Sequence, residues 1–260
     1  MKSLKNKINN FLFSTIGYKI VNQKERDKFN KFNIFNKIFS RFDKDKKLIL
    51  FDVGANKGQS TDFFINILKK NKIKEFEMHL FEPNQELVIE LKKKFENSSI
   101  KVNQIGLSNV SEQKEFFHYK NNEKNSFYKL IKKNDGDSFL GSTNCFTERL
   151  DDYASLNDIK NINFLKIDCE GDEIEVLKGS KEFILNNKID YIYIETSLGE
   201  TYENNYLTLG KIENELKDNF ELIALENHCA GLDFKVQMLK RLALSLVYKN
   251  QRIDSKDIFL

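Results

Sequence analysis

Short apolar runs alternate with amphipathic segments from Lys47 onward. The runs that predict buried strands are "LILFDV", "FEMHLFE", "IKVNQIGL", "INFLKID" and "DYIYIE". Apolar residues at helical spacing follow most of these runs: Phe63, Phe64, Ile67 and Leu68; Leu87, Val88, Leu91 and Phe95; Ile174, Leu177, Phe183 and Ile184; Ile212 and Leu216. Strands that alternate with helices of this length form right-handed crossovers and a parallel sheet covered on both faces. The pattern therefore predicts an α/β fold with a doubly wound, mostly parallel sheet.

Two late apolar runs do not follow this alternation of strands and helices. "FELIAL" and "ALSLVYK" predict strands with little helix between them. Antiparallel neighbours need no helical crossover, so we expect these two strands to form an antiparallel hairpin at the edge of the sheet.

The chain before Lys47 shows a helical pattern instead of strands. Apolar residues recur there at spacings of three and four, along one predicted helical face: Phe29, Phe32, Phe35, Ile38, Phe39 and Phe42. We expect residues 1–47 to form an N-terminal helical arm and residues 48–260 to form the domain. The arm would pack on the domain or on a second subunit, which leaves a homo-oligomer open, and its lysines leave membrane-surface attachment open.

A long polar stretch interrupts the domain at about residues 109–150. There "EQKEFFHY" and "TNCFTERL" flank a segment rich in Lys, Asn, Ser, Asp and Gly. Polar insertions of this length inside a compact domain are usually functional or partly disordered. We expect this insertion to contact the substrate or to form a lid.

The composition indicates which partners and which cellular compartment to expect for this protein. Lysine and arginine total 42 against 39 acidic residues, a formal net charge of +3, which does not indicate a nucleic-acid partner. The 3 cysteines are widely separated, without metal-binding spacing, which fits a reducing compartment. No apolar run approaches the roughly 20 residues that span a bilayer. The sequence predicts a soluble, cytoplasmic protein without a transmembrane segment.

The first predicted strand ends in a turn of small residues, Asp52-x-Gly54-x-Asn56-x-Gly58. In an open parallel sheet the ligand lies beyond the carboxyl ends of the strands, and this turn usually contacts it. Glycine lets a ligand approach the backbone, and the helix that follows offers free N–H groups. The glycine spacing matches neither GxGxxG nor GxxxxGK[ST], which disfavours NAD binding and phosphate-loop chemistry.

The second strand ends in "LFEPN", which places Glu82 where a carboxylate accepts hydrogen bonds from a ribose diol. Asp52, at the end of the first strand, would meet a ligand ammonium or hydroxyl group. Each feature alone has a structural explanation, a tight turn or a surface acid. Together, and in this order, they predict a nucleoside-type cofactor without a pyrophosphate.

Six segments resemble the FkbM-type S-adenosylmethionine-dependent methyltransferases: "FDVGANKGQST", "LFEPNQELVIELKKKF", "NQIGLSN", "TERLDDY", "INFLKIDCEGDEIEVLKG" and "DYIYIE". The resemblance covers about residues 48–195, and "LSLVYKN" resembles the closing strand. It implies a class I methyltransferase fold and methyl transfer from a sulfonium to a hydroxyl group. The arm, the insertion and residues 196–239 fall outside it.

Matched positions assign the cofactor contacts that the resemblance implies. The methionine part would lie among Asp52, Gly54, Asn56 and Gly58, the ribose at Glu82, and the adenine near Gly106, Leu107 and Ser108. The same segments add Ala55, Ser60, Pro83 and Asp168 to the expected cofactor contacts.

Three carboxylates lie at predicted strand ends on the ligand edge: Asp168, Glu170 and Glu195. Methyl transfer to a hydroxyl requires in-line positioning and removal of a proton. One of these carboxylates can act as the base, or they can bind Mg²⁺ and lower the pKa of the acceptor. His228, in "LENHCAG", is a further candidate base. The sequence leaves these alternatives open.

The family resemblance implies that the acceptor is a hydroxyl group of a sugar, a surface-glycan precursor or a related small molecule. The fourth strand carries "DCEG" instead of [DNS]PP[YFW], which argues against methylation of nucleobase amino groups. Two alternatives stay open: a non-catalytic binding or scaffold protein that keeps the fold, and a nicotinamide-dependent oxidoreductase, which the glycine spacing disfavours.

Overall fold

The computed structural model describes residues 34–96, 99–131, 137–203, 205–207, 209–227 and 242–253. Contacts along the chain divide it into two compact units, Met1–Arg41 and Phe42–Leu260. In the first unit, residues 34–39 are helical. Residues 1–33, which make up most of the predicted arm, lie outside the described residues.

The second unit alternates strands with helices. Its strands are β1 (Leu48–Val53), β2 (Phe76–Phe81), β3 (Ile100–Asn103), β4 (Gly106–Leu107), β5 (Glu112–Tyr119), β6 (Phe139–Glu148), β7 (Ile162–Ile167), β8 (Ile189–Tyr202), β9 (Asn205–Leu207), β10 (Phe220–Asn227) and β11 (Leu242–Asn250). Its α-helices are α1 (Gln59–Lys70), α2 (Gln85–Lys94), α3 (Leu150–Leu156), α4 (Glu173–Gly179), α5 (Lys181–Leu185) and α6 (Leu209–Leu216).

The main sheet confirms the predicted fold class. Its strand order is β10-β11-β8-β7-β1-β2-β3, and β9 pairs with β8 outside this path. The pairs β7–β8, β1–β7, β1–β2 and β2–β3 are parallel. The last two strands form the predicted antiparallel pair, with β11 also antiparallel to β8. Strand order reverses between β1 and β7, which is where an open α/β sheet holds its ligand.

Buried residues of the strands and of the amphipathic helices pack around this sheet. The central strands are apolar over most of their length because helices cover both faces. The core includes Phe51, Leu165 and Ile192 from three adjacent strands, each at most 1% exposed. Helices α1 and α2 contribute Ile67 and Leu91, both 0% exposed. The core therefore fixes the carboxyl ends of β1, β2, β7 and β8 beside one another.

Three elements differ from the sequence-based expectation. The run "IKVNQIGL" is not one strand, because the ladder with β2 ends at Asn103 and Gly106 pairs with Thr147 in another sheet. The helix predicted across residues 174–184 is two short helices, α4 and α5. They meet at Ser180, whose Oγ donates to Val176 O at 2.7 Å. Glu195 does not end its strand, since β8 continues to Tyr202.

The insertion at 109–150 contributes β5 and β6 to a second, three-stranded sheet of order β4-β6-β5, whose third strand, β4, precedes it. Strands β5 and β6 are antiparallel, and a 3-10 turn, Asn122–Lys124, follows β5. The structure thus shows a folded β-hairpin in much of the stretch that the sequence presents as polar. Among the helices in the described ranges, none has the length and apolar character needed to cross a membrane.

Candidate functional site

The turn after β1 has the backbone that its small residues predict. Gly54, Asn56 and Gly58 have positive φ angles of 75°, 49° and 76°. A Cβ at Gly54 would lie 1.9 Å from Asp168 O, so the turn passes too close to the end of β7 for any side chain. The N–H groups of Gly54 and Ala55 both donate to Phe81 O, at 3.0 and 3.1 Å. These contacts join the turn to the ends of β7 and β2.

A cavity of about 450 Å³ opens beyond these strand ends. This volume lies in the usual range for small-molecule and cofactor sites, about 300–1,000 Å³. The main sheet and its loops contribute Val53, Gly54, Ala55, Asn56, Gln59, Ser60, Phe81, Glu82, Pro83, Lys166, Asp168, Cys169, Glu170, Gly171, Glu173, Glu195, Thr196 and Tyr202, and β4 contributes Gly106 and Leu107. The insertion contributes Phe116, Asn122, Glu123, Lys124, Asn125 and Phe127.

The cavity gathers most of the residues expected to contact a cofactor. Those that line it are Gly54, Ala55, Asn56, Ser60, Glu82, Pro83, Gly106, Leu107 and Asp168. Asp52, Gly58 and Ser108 are within the described chain but do not line the cavity. Gly58 packs against the Phe95 ring, and Ser108 is 3% exposed beside the backbone of β6. These two residues shape the turns that carry the lining residues.

Glu82 is held rigidly at the end of β2. Its Oε2 accepts the N–H of Asn56 at 2.9 Å, and its Oε1 accepts the N–H of Asn84 at 2.9 Å. The residue is 5% exposed. Burial raises the pKa of Glu82 to about 7, although the two N–H donors oppose the rise. The carboxylate keeps further lone pairs for hydroxyl donors in the cavity.

A buried ammonium group lies under the glycine turn, and sequence reasoning missed it. Lys166, in β7, is 1% exposed, and its Nζ donates to Gly54 O at 2.9 Å and to Val53 O at 3.2 Å. The same Nζ lies 3.0 Å from Asp52 Oδ1 and 3.4 Å from Asp168 Oδ2. Burial opposes the charge, but the carboxylates of Asp52 and Asp168 outweigh burial and raise the pKa of Lys166.

Asp52 faces this ammonium instead of the cavity. It is 1% exposed, and its Oδ2 accepts a hydrogen bond from Thr61 Oγ1 at 2.7 Å. Asp52 and Lys166 are opposite each other in the β1–β7 register. Asp52 is therefore paired with Lys166 and is not among the residues that line the cavity, and the direct ligand contact expected for it stays a prediction. The sequence does contain an indication of this ion pair: a lysine lies inside the apolar run "INFLKI", and a buried lysine needs an anionic partner.

Asp168 follows β7 and presents its carboxylate to the cavity. Its N–H donates to Val53 O at 3.1 Å, and its side chain is 32% exposed. Burial raises the pKa of Asp168, Lys166 opposes the rise, and the nearby carboxylates of Glu195 and Glu170 add to it. Asp168 is thus a cavity carboxylate beside a fixed positive charge.

Glu170 joins three segments of the chain at the cavity. Lys124 Nζ lies 3.2 and 3.3 Å from its two carboxylate oxygens, and the hydroxyl of Tyr202 donates a short hydrogen bond to Oε2. Ser126 Oγ donates to the main-chain oxygen of Glu170 at 2.6 Å. Glu170 has a φ of 53°, a conformation that costs energy for a non-glycine residue. These bonds hold it there and fasten the insertion to the end of β8.

Two further carboxyl groups line the cavity with local partners. Glu195 Oε2 accepts a hydrogen bond from Tyr193 OH at 2.8 Å, and that hydroxyl lies 2.8 Å from Ser245 Oγ. Glu173, which sequence reasoning did not select, accepts the N–H of Gly171 at 3.0 and 3.1 Å. Burial raises the pKa of Glu173 to about 8.

The remaining predicted catalytic residue, His228, lies outside the described residues. Within the described residues, no group of three or more His, Cys, Asp or Glu side chains is arranged to hold a metal ion. The carboxylates of Asp168, Glu170 and Glu195 are partnered by Lys166, Lys124 with Tyr202, and Tyr193. This geometry does not support the Mg²⁺ alternative.

Three methyltransferases are among the solved structures with remote similarity to this chain. Methyltransferase FkbM from Methylobacillus flagellatus KT has 19% identity and a TM-score of 0.48, over 79% of this chain and 44% of that one. A putative S-adenosylmethionine dependent methyltransferase from Listeria monocytogenes has 7% identity and a TM-score of 0.45, over 84% and 98%. A SAM-dependent methyltransferase from Anabaena variabilis ATCC 29413 has 10% identity and a TM-score of 0.46, over 95% and 95%.

The chain spans less than half of the length of the Methylobacillus protein. A search of curated proteins found no match. The methyltransferase FkbM domain matches residues 52–229, which is more than half of the 260-residue chain and includes the glycine turn, Glu82 and the strand-end carboxylates. The chain therefore belongs to the FkbM methyltransferase domain family.

Proposed function

We propose that this chain binds S-adenosylmethionine in the cavity and transfers its methyl group to a hydroxyl of a sugar, surface-glycan precursor or related small molecule. The observation that carries the cofactor assignment is the Glu82 carboxylate. It follows β2, the neighbour of β1 on the ligand edge of the sheet, is fixed by two backbone N–H groups, and lines the cavity. A carboxylate in this position accepts two hydrogen bonds from a ribose diol.

Two buried polar atoms support the same assignment. Asn56 Oδ1 and Thr196 Oγ1 have no hydrogen-bond partner among the described residues, although both residues line the cavity. An unsatisfied buried polar group costs about 1–3 kcal/mol, which a bound partner recovers. An amide oxygen accepts hydrogen bonds, so Asn56 suits the ammonium group of a methionyl moiety. The residues present therefore fit the cofactor.

The chain's own contribution to the reaction is positioning and proton removal. When bound, the cofactor supplies a methyl group that its sulfonium already activates. Asp168 is the carboxylate best placed to accept the hydroxyl proton, because its side chain is exposed to the cavity. Its pKa is raised, and a base is most effective when its pKa lies near the working pH. Lys166 holds one oxygen of Asp168, which leaves the other for the acceptor. Glu170 is less available, because Lys124 and Tyr202 occupy its carboxylate.

The acceptor class rests on hydrogen-bonding chemistry. Asp168, Glu170 and Glu195 line one cavity, and an ionised carboxylate donates no hydrogen bond but can accept more than one at each oxygen, also where a protein partner is already bound. Hydroxyl-rich acceptors supply the matching donors. The experiment is to incubate the protein with S-adenosylmethionine and candidate glycans and to measure release of S-adenosylhomocysteine. Binding of the cofactor without release for any acceptor in the panel would leave the scaffold alternative open.

Replacing Glu82 with alanine should weaken binding of S-adenosylmethionine. Loss of hydrogen bonds to a charged group costs about 1.5–3 kcal/mol, which is about 10-fold to 150-fold in the dissociation constant. Isothermal titration calorimetry of Glu82→Ala measures the change. Glu90→Ala, an exposed glutamate on α2, is the matched control and should bind as wild type. Wild-type affinity in Glu82→Ala would refute the ribose assignment.

Cofactor binding should also depend on pH through Glu82. The pKa of this carboxyl is about 7, so protonation below that pH removes acceptor capacity that the ribose needs. Affinity should therefore be highest above pH 7 and fall by about tenfold between pH 8 and pH 5.5. Glu82→Gln cannot titrate and should lose most of this dependence. An equal slope in wild type and Glu82→Gln would assign the pH effect to another group.

A further inference from the structure

The insertion packs against the loops that carry expected cofactor contacts. The Sγ of Cys145, on β6, lies 3.5 Å from Pro83 O, in the loop after β2. In the same loop, Asn84 Nδ2 lies 3.4 Å from His118 Nδ1, on β5. Gly106 is itself part of the insertion's sheet through β4. The insertion therefore forms one wall with the Glu82 loop and the Gly106 turn.

Two aromatic rings of the insertion lie in this wall. Phe116, on β5, and Phe127, after the 3-10 turn, both line the cavity and are 4% and 7% exposed. Their ring centroids are 4.9 Å apart in an edge-to-face arrangement. Lys114 Nζ lies 5.0 Å from the centroid of the Phe127 ring, and Ser126 beside it is bonded to Glu170. Neighbours on several sides thus hold the Phe127 ring in place.

Gly106 makes room for the Phe127 ring. A Cβ at Gly106 would lie 2.6 Å from Phe127 Cε2 and 3.5 Å from Pro83 Cγ, so a side chain here would displace the ring. The glycine allows the ring to reach the backbone of β4. With Leu107 and Phe116, these residues form a continuous apolar part of a cavity whose other lining residues include several carboxylates.

An apolar, partly aromatic surface beside a diol-binding carboxylate suits a planar heteroaromatic base. Contacts between a nucleobase and aromatic side chains contribute a substantial part of the binding free energy. We propose that Phe116 and Phe127 form the surface that receives the adenine of the cofactor, so that the insertion completes the cofactor site instead of serving the acceptor alone. This inference rests on the proposed function.

The first test uses the absence of tryptophan from the chain. Phe127→Trp introduces the only tryptophan of the chain at the proposed surface, and its emission is recorded with excitation above the tyrosine band. Adenosine and S-adenosylhomocysteine should change its emission, and free methionine should not. An emission unchanged by saturating S-adenosylhomocysteine, in a variant that calorimetry shows to bind it, would overturn the proposal.

The second test measures affinity directly and does not depend on how a larger ring fits. Phe127→Leu should weaken binding of adenosine and S-adenosylhomocysteine by about tenfold. The matched control is Phe117→Leu: Phe117 is 7% exposed and packs with Tyr119, Leu130 and Tyr202 instead of lining the cavity. It should bind as wild type. Melting temperatures of both variants report any loss of folding.

The outcomes separate this inference from the proposed function. If wild type binds neither S-adenosylmethionine nor S-adenosylhomocysteine, the cofactor assignment fails and this inference fails with it. If wild type binds both and the folded Phe127→Leu variant binds them equally well, only the adenine surface is refuted. Equal losses in Phe127→Leu and Phe117→Leu would also refute it, because they would indicate a general effect on the insertion.

Discussion

Lys166→Met should lower the free energy of unfolding by about 3–5 kcal/mol, the usual cost of removing one partner from a buried ion pair. The variant keeps the apolar stem of the side chain but leaves Asp52, 1% exposed, without its cation. It also removes the donor to the carbonyl oxygens of Val53 and Gly54. Chemical denaturation followed by circular dichroism measures the loss.

Two further variants identify the cause of that loss. Lys160→Met removes an exposed lysine, 82% exposed in its side chain, and should stay within about 1 kcal/mol of wild type. The double variant Lys166→Met with Asp52→Asn removes the buried charge together with its partner and should recover part of the stability. If Lys166→Met is as stable as Lys160→Met, the Lys166 network does not hold the strand ends together.

The sequence predicts the architecture well because the local spacing of apolar residues distinguishes the strands from the helices. Buried parallel strands such as β1 and β7 are short apolar runs, and the helices after β1 and β2 keep one apolar face. Periodicity does not say which partner a strand chooses. Residues 100–107 therefore look like one strand, although long-range pairing assigns the first part to β2 and Gly106 to β6.

The same limit applies to the cavity. Glu82 and the glycine turn are predictable because they occupy strand ends that always meet at one edge of a parallel sheet. Lys166 is not, because its role depends on the register that places it opposite Asp52. Phe116 and Phe127 belong to the insertion, whose pairing and packing no local pattern determines. Sequence patterns thus predict the edge that holds the ligand, and tertiary contacts decide which side chains line it.

Asp168→Asn should lower turnover by about 10²-fold or more while changing cofactor affinity much less. The substitution keeps the volume of the side chain but removes the carboxylate that faces the cavity, and general acid–base help is typically worth 10²–10⁴-fold. The measurement is the rate of S-adenosylhomocysteine release with an acceptor that wild type methylates. Calorimetry with S-adenosylmethionine and a melting curve complete the comparison for the same variant.

The three measurements distinguish the roles that Asp168 can play. A folded variant that binds the cofactor but turns over slowly supports proton removal by Asp168. A variant with normal turnover would move the chemistry to Glu170, Glu195 or His228. A variant that melts at much lower temperature would show that Asp168 acts mainly on the Lys166 network. Glu195→Gln is the matched control, because Glu195 lines the same cavity and is hydrogen-bonded to Tyr193. If Asp168 is the base, Asp168→Asn should lower the rate of methyl transfer more than Glu195→Gln does.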